Sequence, residues 1–189
     1  MSISSSKLWQ TLETCSQLEN DSTGSPASFE LAKYWVSNCV QNHADCPEPS
    51  SGWLPKRVID VSPSDGSVIP RLIETTDSAF DCTHKERRYV SLSHCWGTKQ
   101  LITTTMANIR NHKRGICPKD LSQTFRDAIQ VTRSLGERYL WIDSLCIMQD
   151  STQDWKTQSV QMCNIYQRSV FTIMAAHASG GDEGCFVSR

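Results

Sequence analysis

The chain has 189 residues, with 19 Lys and Arg against 20 Asp and Glu, a formal charge of −1 with the histidines neutral. That length predicts one domain with at most an appendage, large enough to bury a core without disulfides or metal, and the balanced charge excludes a general binder of phosphate backbones or anionic lipid. Nine cysteines fall short of the roughly 8–10% that marks a secreted disulfide scaffold. The start, MSISSSKLWQTLETC, has no basic region followed by an apolar run, and no stretch approaches the roughly 18 apolar residues of a membrane span. The expectation is a soluble, cytoplasmic protein with reduced thiols and no nucleic-acid partner.

Taken in chain order, residues 1–28 are rich in Ser, Thr, Asn and Gln and carry the breaker run Ser22-Thr23-Gly24-Ser25-Pro26, which predicts a loosely attached segment docked at most by Trp9, Leu12 and Leu18. Phe29, Ala32, Trp35, Val36, Cys39 and Val40 then fall at helical spacing, giving one helix over about 28–41 with Ser28 as its cap. The Pro-rich connector at 46–52 separates this leader, residues 1–50, from a second region, 51–189. There the period changes. Arg57-Val58-Ile59-Asp60-Val61 and Ile69-Pro70-Arg71-Leu72-Ile73-Glu74 read as a hairpin over 57–74, whose second strand lies at an edge because Pro70 cannot donate to a ladder.

Tyr89 to Ser93 reads as a strand, Ser122 to Leu135 as a helix stopped by Gly136, and Tyr139 to Asp143 as a strand covered on both faces. A single helix over about 153–168 follows, with Trp155, Met162, Ile165 and Tyr166 on its inner side, and Val170 to Ala176 closes the series as a third strand. Strand, helix, strand, helix, strand over 89–176 is the sequence form of two right-handed βαβ units. The predicted architecture is a three-layer α/β fold with a mostly parallel sheet, an N-terminal hairpin and a helical leader.

In an open parallel sheet, ligands bind beyond the carboxyl ends of the strands. That rule selects Ser93-His94-Cys95-Trp96-Gly97, Asp143-Ser144-Leu145-Cys146 and His177-Ala178-Ser179-Gly180-Gly181-Asp182-Glu183 as one rim. Ser93, His94, Cys95, Trp96, Cys146 and His177 are its candidate ligand-binding residues. Each also has a plainer reading. Cys95 and Cys146 fit small core positions, His94 a strand-end carbonyl, Asp143 a cap on the amides that follow it, and Trp96 packing under the 97–120 connection. Adjacent strand residues point to opposite faces, so a Cys–His nucleophile pair does not follow from adjacency.

Cys39, His43 and Cys46 form a weak zinc candidate, since three ligands at the end of a helix still require a fourth, Cys15 or Cys82, from elsewhere. No bound cofactor is expected. The phosphate loop, the dinucleotide glycine pattern, the zincin motif and the nucleophile elbow are all missing from the sequence.

Tyr89-Val90-Ser91-Leu92-Ser93-His94-Cys95-Trp96-Gly97, then Leu121-Ser122-Gln123-Thr124-Phe125-Arg126-Asp127-Ala128-Ile129 running into Tyr139-Leu140-Trp141-Ile142-Asp143-Ser144-Leu145-Cys146-Ile147, resembles the fungal heterokaryon incompatibility (HET) domain. Asp154-Trp155, the Met162 to Tyr166 stretch and Thr172 to Ala176 continue the likeness. The resemblance implies a cell-death effector or signalling module of fungal non-self recognition, partnered by itself or by other such proteins. It also implies a distant relation to TIR domains, with a flavodoxin-like sheet of five strands, so that the 57–74 hairpin completes the sheet or the domain continues past Arg189. TIR domains act as homotypic modules or as NAD+ glycohydrolases, which makes NAD+ a candidate substrate. On that implication Glu183, by position after the third parallel strand, and Asp143 are the catalytic candidates, with Ser93 or Asp143 holding ribose hydroxyls and Trp96 stacking on a ring. Gln158 stands where the family usually has Glu. The alternatives are a non-catalytic oligomerisation module and a Cys/His-dependent enzyme acting on a small metabolite.

Overall fold

The computed structural model describes residues 5–43, 53–77, 80, 87–99 and 101–189. It divides into two compact units, Met1–Glu48 with Phe186–Arg189, and Pro49–Cys185.

The first unit holds two helices, α1 (Ser5–Ser16) and α2 (Pro26–Asn42). α1 is a correction, because its composition predicts an irregular segment. Thr11, Cys15 and Leu18 are half-buried, and the Cys15 thiol donates to the carbonyl of Ala27 at 3.4 Å, so tertiary contact outweighs weak local propensity. α2 starts two residues earlier than its periodicity predicts. Ser25, rather than Ser28, is the cap, accepting from the Ser28 amide, with Pro26 in the first turn where its missing N–H costs nothing. The last four residues return to this unit, with Thr23 N–H bonded to Val187 O at 2.9 Å and Arg189 N–H to Asp21 O at 2.8 Å.

The second unit is built on a five-stranded sheet in the order β2-β1-β4-β3-β5, with β1 Arg57–Asp60, β2 Arg71–Glu74, β3 Tyr89–Ser93, β4 Tyr139–Trp141 and β5 Thr172–Met174. β4, β3 and β5 run parallel, and the β1–β2 hairpin joins them through an antiparallel pairing of β1 with β4. β2 is an edge strand, as expected, although Pro70 lies just before it rather than within it. Between the parallel strands lie α3 (Ile109–Arg114), α4 (Gln123–Ser134), α5 (Asp143–Cys146), α6 (Thr152–Ser159) and α7 (Met162–Arg168). The core gathers Val58, Ile59, Val90, Leu92, Leu140 and Trp141 from the sheet with Phe125, Leu145 and Ile165 from the helices. No helix among the described residues is long and apolar enough to cross a membrane.

The continuous helix predicted over 153–168 is two. The Gln158 carbonyl accepts the N–H groups of both Val160 and Gln161, a tight turn that ends α6 and lets α7 restart with Ile165 fully buried. The inner face of α6 is also different. Trp155 is 54% exposed, while Asp154 and Gln158 are buried at 4%.

A buried charge decides that face. Arg57, 1% exposed at the start of β1, donates through Nε to the Cys146 carbonyl at 3.0 Å and through both terminal nitrogens to the Asp154 carboxylate. Asp154 also receives Met148 N–H at 2.9 Å and Lys56 Nζ at 3.0 Å. A charge this deep is stable only with a full set of partners. Asp60, at the other end of β1, is buried in the same way between Arg138 and Arg71.

Burial disfavours the Asp154 carboxylate, but its donors, Arg57 first among them, outweigh that and hold its pKa below the ordinary 3.8. The unfolded chain therefore takes up the proton first as pH falls, and the pair's contribution, complete above about pH 5, is lost as pH drops through 3.8 to the lower folded value. Arg57→Met is expected to cost about 3–5 kcal/mol at neutral pH, with the gap to wild type shrinking on acidification in urea titrations run from pH 7 to pH 3.

Candidate functional site

The carboxyl ends of β3 and β5 carry two loops, 94–99 and 175–185, and the start of α5 lies beside them at the end of β4. Asp143 opens α5. Its Oδ2 accepts the indole N–H of Trp96 at 2.9 Å and its Oδ1 the amide of Ser144 at 2.6 Å. Both carboxylate oxygens are thus engaged, one of them by the amide of the very next residue rather than as a helix cap. The other fixes Trp96 by its polar edge.

The two loops touch through glycines. At Gly97 the backbone has φ +69°, and a Cβ there would lie 2.8 Å from the Gly180 Cα, so only glycine gives both the conformation and the approach. Residues 96–99 and 179–183 then enclose a pocket of about 160 Å³. Glu183 stands on its wall, accepting the Ser179 amide at 2.8 Å and the Ser179 hydroxyl at 2.6 Å. These hydrogen bonds hold its carboxyl below the ordinary carboxylate value, with smaller help from His177 and Lys99, so an exposed group remains ionised. Asp182 pairs with Lys99 at 2.7 Å.

The Glu183 loop is held from below by the first turns of α4. Thr124 donates its amide to Gly181 O at 3.0 Å and accepts Gly184 N–H on its hydroxyl at 3.2 Å. Asp127 Oδ2 accepts Cys185 N–H at 2.8 Å. Gly184, with φ +83°, sits so close that a Cβ would come within 2.5 Å of that same oxygen. The loop is therefore tied at both ends to one rigid helix.

His94 lies under the rim. Its side chain is 2% exposed and its Nδ1 is 4.0 Å from Asp143 Oδ1. Its ring stands edge-on to Phe125, with centroids 5.1 Å apart, and Nε2 has no hydrogen-bond partner among the described residues. Burial pushes its pKa down, against the pull of Asp143, which keeps the ring neutral and apolar-facing. Ser93 is half-buried and joined to β5 by its carbonyl, which accepts Ala175 N–H at 3.0 Å. His177 and Cys95 are exposed.

Cys146 is placed differently from the rim that strand order suggests. It is 1% exposed in the core at the end of α5, and burial raises its thiol to about 12, far from nucleophilic reactivity. No hydrogen bond links His94 to Cys95 among the described residues. Gln158 is buried on α6 and does not line the pocket. Cys39 is half-buried on α2 and His43 ends that helix, while Cys46 and Cys82 lie outside the described residues. Among the described residues no three His, Cys, Asp or Glu side chains converge as metal ligands.

The residues that rim logic alone does not single out are Lys99, Thr98 and the α4 pair Thr124 and Asp127. The glycines at 97, 180 and 181 were the available signal for a close loop approach. A model of the family described as heterokaryon incompatibility protein (HET) matches residues 89–189, more than half of the chain. No curated protein and no solved structure is matched.

Two outcomes are expected here. Asp127→Ala should lower stability by about 1–3 kcal/mol and accelerate amide hydrogen exchange at Cys185, while slower probes in β3 keep their protection relative to the global unfolding free energy. Iodoacetamide should modify exposed Cys95, Cys117 and Cys163 in the folded protein and reach Cys146 only on unfolding, as peptide mass mapping would record.

Proposed function

Because the chain belongs to the heterokaryon incompatibility family, we propose that its α/β unit is a cell-death effector of fungal non-self recognition that works by TIR-like cleavage of NAD+ at the pocket between the loops after β3 and β5. One observation carries this reading. Glu183 is an exposed carboxylate, kept ionised by Ser179, on the wall of a pocket shared with Trp96.

Cleavage of the nicotinamide–ribose bond passes through an oxocarbenium-like transition state, as glycoside hydrolysis does. The bonding pair returns to the ring nitrogen, so nicotinamide leaves neutral and needs no acid. Positive charge develops on the ribose, where a fixed carboxylate stabilises it electrostatically. Water then adds to C1′ and releases its second proton to solvent. Glu183 is the residue in this reading that faces the reacting ribose. Asp143 acts one step back, orienting Trp96 through the indole N–H, whereas Glu183 lines the pocket itself.

A second reading is homotypic assembly without turnover, for which the exposed apolar side chains of Trp155, Val160 and Met174 are the candidate contacts. The full chain incubated with NAD+ is expected to release nicotinamide, with Glu183→Gln slowing release by about a hundredfold or more and leaving any oligomer seen by light scattering intact. Oligomers without nicotinamide release at high protein concentration would favour assembly over catalysis.

A further inference from the structure

The size and charge of the rim pocket restrict what part of a ligand it can hold. Its volume of about 160 Å³ is the room of one aromatic ring, since an engineered protein cavity of about 150 Å³ accommodates benzene. Three charged side chains line it, Lys99, Asp182 and Glu183. Lys99 and Asp182 pair at 2.7 Å and offset each other. Glu183 is hydrogen-bonded only by the neutral N–H and O–H donors of Ser179, with Lys99 and His177 acting on it at longer range, so the lining carries one net negative charge. Trp96, a residue 40% exposed, has given its indole N–H to Asp143, and what it offers a ligand is therefore its π system and no donor. An electron-rich ring and a carboxylate around one small space attract a cation. The same wall repels phosphate.

We propose that the pocket binds a single cationic heteroaromatic ring of the N-alkylpyridinium class and that phosphates attached to such a ligand remain outside it. The inference rests on the proposed NAD+ site and names the end of the molecule recognised there, the positively charged nicotinamide ring. A pyridinium nucleoside without phosphates then fits the site as well as the dinucleotide does.

The test follows the Trp96 indole resonance by NMR in the full chain at pH 7.5 while 1-methylnicotinamide, a cation with no glycosidic bond to cleave, is titrated against nicotinamide, its neutral counterpart. The cation is expected to shift the Trp96 signal and to bind about fivefold tighter than the neutral ring. Glu183→Gln should bring the two affinities together, Trp96→Phe should retain the preference in weakened form, and ADP-ribose should leave the pocket unperturbed. Equal binding of the neutral ring, occupation by ADP-ribose or no binding of either ring would overturn the inference. Because 1-methylnicotinamide is not turned over, a clear cation preference in a chain that releases no nicotinamide from NAD+ supports this pocket assignment while defeating the catalytic reading. Release of nicotinamide without cation preference does the opposite.

Discussion

The ion pair between Arg57 and Asp154 connects parts of the second unit that are far apart in sequence. Arg57 begins β1, and its guanidinium reaches the last carbonyl of α5 and the carboxylate in the first turn of α6. A buried ion pair is not in itself a source of large stability, since the desolvation of both groups opposes the attraction between them. Its strength lies in what it forbids. Neither charge tolerates loss of the other, so β1, the end of α5 and the start of α6 must arrive together. The same pair turns Asp154 and Gln158 inward and leaves Trp155 on the surface, which is the reverse of what hydrophobicity alone would choose.

From that anchor the constraint passes to the rim. α5 is only four residues long; its last carbonyl is held by Arg57 and its first side chain, Asp143, holds Trp96. On the other side, α4 ties down the ends of the loop that carries Glu183 through Thr124 and Asp127. The two loops that form the pocket are thus each fastened to a helix, and they meet where Gly97 and Gly180 leave no side chain between them. Sites held in this way lose little order on binding, because the groups that meet the ligand are already placed by hydrogen bonds beneath them.

The strongly periodic elements were legible in the sequence. β3, α4 and β4 lie where alternation, capping Ser122 and Gly136 place them, within the usual drift at the ends. The strand-end rule also located the loops that carry Trp96, Asp143 and Glu183. Less was legible where one residue's environment depends on another far along the chain. Cys146 follows a strand end, yet points into the core. α1 forms where composition predicts an irregular segment, because it has α2 to lie against. The helix over 153–168 breaks at the turn where the Gln158 carbonyl accepts the N–H groups of Val160 and Gln161, which the apolar spacing of the sequence does not show.

The sequence by itself determined the family, the alternation of strands and helices, and the short stretches from which a site could be made, since periodicity, caps and motif order are properties of neighbouring residues. Tertiary structure alone decided which of those stretches meet. The distance between Arg57 and Asp154 along the chain, the approach of Gly97 to Gly180, and the grip of α4 on Cys185 are all long-range contacts. They set which carboxylate supports Trp96 and which lines the pocket. Asp143 and Glu183 look equivalent as residue types beyond strand ends. Packing gives Asp143 the task of holding an indole and leaves Glu183, held by Ser179, on the wall of a pocket, because only the folded chain brings Trp96 to the first and open space to the second.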